Sequence, residues 1–351
     1  MSEFEWIDKP GNIDAEAERI ARELESRAGY RVLREVRELD PIQSPGAKLL
    51  GLMTDTETTG IHRGKDKIIE LCLVPFEYDR EAGIITRIAK PYTSFQDPGV
   101  PIPEEITRIT GIGDDHVKGK QIDRDLVRRW VGQVNVIVAH NAAFDRAFLE
   151  DYDPCFRDCN WVCSQSGLPW KDLGHGSSKL EFLIGRHGMF HGAHRAENDC
   201  FATLHILRQR PAPDQPTYFD LSIAHGRKRS IRVFAINAPF EAKDTIKAAG
   251  YLWNDPSKED AIRGYPKAWW KEIPEENWAE TAKWLAEAIY RRPNAMIRYH
   301  TVDAMSRFTE RFIKAGTIAL DAAYLPGQEP APPKPEEKQT ETPSFSPSSA
   351  G

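Results

Sequence analysis

The chain has 351 residues, is 40% hydrophobic and 28% charged, and carries a formal net charge of −6. That length predicts two domains with ample core. No run approaches the ~18 apolar residues of a membrane span, and the acidic balance argues against holding nucleic acid by bulk basicity. The polar, acidic start from Met1 to Pro10 is unlike a signal peptide, and the odd count of five cysteines points to reduced thiols, so a cytoplasmic protein with no membrane association is expected.

In chain order, residues 14–39 have a helical pattern with Ile20, Leu24, Val32, Leu33 and Val36 among many charges. Gly29 is expected to split it into two helices, giving residues 1–48 as a helical N-terminal extension. An apolar stretch with Leu49, Leu50, Leu52 and Met53 then predicts a buried strand that ends in Asp55-Thr-Glu57-Thr58-Thr59-Gly60. Asp55 and Glu57 are two apart, so on a strand both leave the same face. Two carboxylates held that close repel each other unless a cation lies between them. Gly60 allows the turn that follows. Read alone, the run is also compatible with an acidic strand end ahead of a polar turn.

Further strands are expected near 68–77 and 84–91, and a helix near 103–110. Val136, Ile137 and Val138 suggest another buried strand, and Asn141 an N-cap that places Asp145 in the first turn of a helix over 142–151. Helix N-termini favour anions, which would keep that acid ionised. A strand near 160–164 and helices near 178–187 and 196–208 follow, with His194 just before the last helix and Asp199 in its first turns. His187 and His191 read as a helix end and its turn. Cys155, Cys159 and Cys163 lack the close pair usual for structural zinc.

Three motifs now stand in order: Asp-Thr-Glu-Thr-Thr-Gly at 55–60, His-Asn-x-x-Phe-Asp at 140–145, and His-Arg-Ala-x-x-Asp at 194–199. They resemble the motifs of the DEDDh 3′–5′ exonucleases, the DnaQ-like group that includes the epsilon subunit of bacterial replicative polymerases and RNase T. The stretches Ile68-Ile-Glu70-Leu71, Ile102-Pro-Glu-Glu-Ile106 and Phe190-His-Gly-Ala-His194 fit the intervening text. The resemblance covers residues 49–210 and implies an α/β, ribonuclease H-like, mixed five-stranded sheet flanked by helices. It implies two Mg2+ or Mn2+ ions held by Asp55, Glu57, Asp145 and Asp199, with Asp55 bridging and His194 as general base. Thr58, Thr59 and Phe144 would line the terminal-nucleotide pocket, with His140 and Asn141 close by. The implied reaction releases nucleoside 5′-monophosphates from the 3′ ends of DNA in proofreading or repair, on single-stranded or 3′-terminal substrate. An exoribonuclease of the same fold remains open, as does a nucleic-acid-binding scaffold. A DNA polymerase or repair partner would be a separate chain.

Pro211, Pro213 and Pro216 mark an exit linker, and residues 217–324 read as a small α+β domain rich in tryptophan. Strands are expected near 231–236, 251–253, 268–270 and 295–301, and helices near 241–249, 275–289 and 303–315. From 220 to 324 there are 17 Lys plus Arg against 14 Asp plus Glu, which together with the aromatics suggests nucleic-acid binding. Trp253 reads as core, whereas adjacent Trp269 and Trp270 cannot both face one side of a strand. Residues 325–351, rich in Pro, Glu, Ser and Thr, read as a disordered tail.

Overall fold

The computed structural model describes residues 4–8, 14–258, 261–262, 264–292, 295–309, 311 and 316–320. It divides into two compact units, one of residues 1–228 with 302–311, the other of 229–301 with 312–351.

The first unit begins with helix α1 (Ala15–Glu25), capped by Asp14, and a short strand β1 (Arg34–Glu35). The expected second helix is therefore absent. Gly29 takes a left-handed φ of 87°, which ends the helical run, and beyond it Arg34 and Glu35 pair in extended chain with Met189 and Phe190. Strand β1 pairs with a later strand, β8, of the same unit. The central sheet is built from β2 (Lys48–Thr58), β3 (Ile68–Asp79), β4 (Ile84–Ile88) and β5 (Tyr92–Phe95). Helices α2 (Glu104–Thr110), α3 (Asp114–Val117) and α4 (Arg124–Val131) lead to β6 (Val136–Ala139), α5 (Ala142–Tyr152) and β7 (Trp161–Cys163). Then come α6 (Leu180–Arg186), β8 (Met189–Phe190), α7 (Ala196–Arg208) and α8 (Tyr218–Arg227).

The sheet is mixed, with β2 antiparallel to β3 and parallel to β6, and β6 parallel to β7. It has the five positions implied by the resemblance but six strands. Strand β3 is long enough to pair with β4 through Phe76–Asp79 and with β5 through Glu70–Leu73 on the same edge. Met53, Cys72, Val74 and Val138 pack under α6, α7 and α8, and Leu52, Leu71, Leu73 and Ile137 under α4 and α5. Fully burying each such side chain is worth roughly 1.5–3 kcal/mol. The sheet is thereby a rigid platform whose strand ends can carry polar groups.

Two boundaries move. Residues 218–227 were expected in the second domain, but Tyr218, Phe219 and Ile223 of α8 are buried in the core of the first unit. Residues 303–309 form turns instead of the expected helix, and they return to the first unit, where the Ala304 carbonyl accepts from the Trp161 amide at 2.8 Å.

The chain therefore passes from the first unit to the second, back over 302–311, and into the second again. It contains β9 (Ser230–Ile236), α9 (Lys243–Ala248), β10 (Leu252–Asn254), β11 (Ala268–Pro274), α10 (Trp278–Trp284), β12 (Met296–Val302) and β13 (Gly316–Ala319). Its strands lie in the order β10-β11-β9-β12-β13. Trp269 packs toward the core formed with α9 and α10, and Trp270 toward Phe234 and Tyr265 on the other face, as strand alternation requires. Trp253, expected in the core, is instead 50% exposed on edge strand β10. The tail over 325–351 lies outside the described residues. Among the described residues no helix is long and apolar enough to cross a membrane.

Candidate active site

The site forms where the carboxyl end of β2 meets the first turns of α5 and α7. Along β2 the threonines Thr54, Thr56 and Thr58 are buried, and the alternating Asp55 and Glu57 leave the other face. Asp199, in the first turn of α7, comes from the opposite side. One carboxylate oxygen from each of Asp55, Glu57 and Asp199 lies within 4.8 Å of the others. Gly60 closes the turn after β2 because there is no room for more: a Cβ there would lie 2.5 Å from an Asp66 carboxylate oxygen.

The electrostatics are strained in the absence of a cation. Burial pushes Asp55 well above the usual carboxylate range, and the charges of Asp145, Asp199 and Glu57 add to the effect. Burial and the neighbouring charges of Asp199, Glu70 and Asp145 push Glu57 up to about 8. Among the described residues no Lys or Arg is ion-paired with Asp55, Glu57 or Asp199. Three hard oxygen donors converging with no ion-paired Lys or Arg among the described residues, and only the more remote Arg195 charge offsetting Glu57, fit Mg2+ or Mn2+ well and thiol-seeking metals poorly.

Asp145 lies apart from that trio of ligand oxygens but next to Asp55. It is buried on α5, and one oxygen accepts from the Thr56 amide at 3.0 Å and its hydroxyl at 2.9 Å. Burial outweighs these bonds and raises it to about 7. Burial thus works against the ionisation that the helix N-terminus favours. Asn141 does occupy the N-cap of α5, but in the left-handed region with φ 73° and without a side-chain capping bond.

His194 is exposed and also left-handed, with φ 64°. Its amide donates to Asp199 Oδ2 at 3.0 Å. His140 is packed inward, its Nδ1 2.8 Å from Ser164 Oγ, and burial lowers it to about 4. Thr58 and Thr59 are buried and their hydroxyls are engaged in the turn, on the Gly60 carbonyl and Asp66 respectively. Phe144 is half-buried against Phe148.

Two residues were not singled out for the site from sequence. Glu70 faces Glu57 across the β2–β3 pair and is 1% exposed. It accepts from Arg195 Nη2 at 2.9 Å and from the Ala196 amide at 3.1 Å, so it satisfies one of the open N–H groups of α7 from the sheet. The signal was present: an acid in the apolar run Ile68–Phe76 of β3. His191 donates from Nε2 to Asp199 Oδ1 at 2.8 Å.

This geometry sits inside the stretch matched by known proteins. The RNase T exonuclease family model matches residues 52–207. The DNA polymerase III epsilon subunit of Treponema pallidum (strain Nichols) is 35% identical over 166 residues, spanning 44% of this chain and 72% of that subunit. The chain belongs to the RNase T exonuclease family. A PolC-type DNA polymerase III from Listeria innocua is 41% identical over 98 residues, which are 27% of this chain and only 6% of that polymerase. Among solved structures, exonuclease X in complex with 5′ overhanging duplex DNA shares 26% identity at a TM-score of 0.35, covering 48% of this chain and 99% of that one. As a member of the exonuclease family the protein is a 3′–5′ exonuclease, a hydrolase of phosphodiester bonds, and the family is metal-dependent.

Proposed function

We propose that the enzyme removes nucleoside 5′-monophosphates from the 3′ ends of DNA, with Mg2+ or Mn2+ held by Asp55, Glu57, Asp145 and Asp199. The observation that carries this reading is the convergence of Asp55, Glu57 and Asp199 within 4.8 Å with no ion-paired Lys or Arg among the described residues. Two bound ions would lower the pKa of a water and stabilise charge on the attacked phosphate and the departing oxygen. Asp55 would hold metal at the centre of the cluster, since the charges of the other three acids all bear on it. Thr56 fixes Asp145 through its amide and hydroxyl. His194 acts as general base: its backbone is tied to Asp199 while its imidazole is exposed to receive a water's proton.

DNA is favoured over RNA because the relative covered over 72% of its length is a DNA polymerase subunit, and the same likeness supports a separate polymerase or repair partner. In the second unit, half-exposed Trp253, edge-on to Trp269 at 5.3 Å between ring centroids, and the 75% exposed ring of Phe240 beneath Lys243, offer surfaces on which single-stranded bases can stack.

The test is digestion of 5′-labelled single-stranded DNA and RNA of matched sequence in Mg2+, Mn2+ or EDTA. A metal-dependent ladder shortened from the 3′ end, faster on DNA, is expected. His194→Ala should lose roughly a hundredfold to ten-thousandfold in rate, the usual contribution of general acid–base catalysis. Faster digestion of RNA would overturn the choice of substrate, and digestion unaffected by EDTA would overturn the metal site.

A further inference from the structure

We propose that His191 is a positioning residue for Asp199, and that it sets the affinity of the acidic cluster for its metal. The inference rests on the metal-site reading above and concerns a residue that the motifs leave out.

Residues 191–194 wrap over the first turn of α7, and Asp199 holds both ends of that wrap. Its Oδ1 accepts from His191 Nε2 at 2.8 Å and its Oδ2 from the His194 amide at 3.0 Å. Between them, Asn198 Nδ2 donates to the Gly192 carbonyl at 2.8 Å. The imidazole of His191 is only 2% exposed, and its Nδ1 has no hydrogen-bond partner among the described residues. A buried ring with one polar contact makes that contact the reason for a histidine at this position. A carboxylate can only accept, so the ring's proton is on Nε2 and the bond fixes one rotation of the Asp199 carboxyl.

That rotation matters because without His191 the Asp199 carboxylate would keep only the His194 amide against the repulsion of two neighbouring acids. Asp145 is held in the same manner from the sheet by Thr56. Outer partners of this kind orient metal ligands, and losing one typically costs 10–100-fold in metal affinity. The same bond anchors the loop that presents His194 in its left-handed conformation, a backbone state that persists only when its surroundings hold it.

The experiment measures Mn2+ binding calorimetrically on the full chain without nucleic acid, for wild type, His191→Leu and His191→Gln. Digestion rates are measured in parallel as a function of Mn2+ concentration. His191→Leu is expected to weaken Mn2+ by 10–100-fold and to raise the half-activating concentration by the same factor. The rate at saturating metal should fall by much less than in His194→Ala. His191→Gln, whose amide N–H can reach the position of Nε2, should recover most of the affinity. If His191→Leu does not fold, His191→Gln against His191→Asn decides: the shorter amide cannot reach Asp199 and should bind weakly. Equal affinity in wild type and His191→Leu, or in the two amides, overturns the proposal. So does a collapse in rate at saturating metal with unchanged affinity. Wild type that binds no Mn2+ overturns the metal-site reading itself, and this inference with it.

Discussion

Helix α5 carries two charged clusters that are neighbours in sequence and opposite in design. Asp145 joins the acids at the end of β2, where repulsion and burial raise Asp55, Glu57 and Asp145 together. The next residue, Arg146, is fully buried against Glu150 at 2.7 Å. Arg146 Nη2 also donates to the Met305 carbonyl at 2.6 Å, while Glu150 accepts from the Thr309 hydroxyl at 2.7 Å and from Arg311 at 3.0 Å. The second cluster has met its charges from within the chain and locks the returning segment onto the nuclease. In the first, no Lys or Arg is ion-paired with Asp55, Glu57 or Asp199 among the described residues, and that leaves room for a cation. Charge burial alone does not mark a catalytic site; burial with no opposite charge does.

The comparison breaks most readily by removing one member of each cluster. Asp55→Asn should reduce digestion by more than the hundredfold to ten-thousandfold assigned to a general base. It should also raise the melting temperature of the metal-free protein, since it deletes a buried repulsion. A gain on the order of 1 kcal/mol corresponds to ~2–4 °C in a domain of this size. Arg146→Ala should do the reverse to stability: uncovering a buried partner charge costs roughly 3–5 kcal/mol, measurable by urea denaturation. Two variants with stability changes of the same sign would dissolve the distinction.

A pH series sharpens it. Glu57 is raised from 4.5 to about 8 and Asp145 from 3.8 to about 7 in the folded state. Groups raised on folding contribute stability that is fully present below their unfolded pKa and is lost as pH rises through the folded value. The protein without added metal should therefore lose stability between about pH 4 and pH 8 on their account. Divalent ions bind the deprotonated carboxylates, so the rise in melting temperature caused by Mn2+ over EDTA should be larger at pH 8 than at pH 6. An equal rise at both values would count against the acids as its source. The smallest effect is expected for Arg311→Ala. Its side chain is 34% exposed, so solvent screens its ion pair, and the loss should stay near 1 kcal/mol or below in the same urea titration.

The acids of the site were legible because each obeys a local rule. Asp55 and Glu57 follow strand alternation, and Asp145 and Asp199 fall in the first turns of helices whose starts can be read from the chain. The third motif set His194 beside Asp199, where its amide meets the carboxylate. What escaped depends on partners distant in sequence. Arg311 and Glu150 are 161 residues apart, so nothing local announced that residues 302–311 rejoin the first unit instead of forming a helix. Strand β5 exists because β3 offers it an unpaired edge, and α8 left the second domain because its apolar face found the sheet. His191 looked like a turn residue, since its bond to Asp199 needs the loop to fold back on α7. Glu70 carried a readable signal, an acid within the apolar run Ile68–Phe76, whose meaning required knowing that α7 begins on it.

The most direct test of the central claim is calorimetric titration of Mn2+ into wild type and Asp55→Asn at pH 8 in the absence of nucleic acid. The account requires saturable binding to wild type that is lost or greatly weakened in Asp55→Asn, although that variant is folded and more stable. Equal binding by both proteins, or none by wild type, would contradict it.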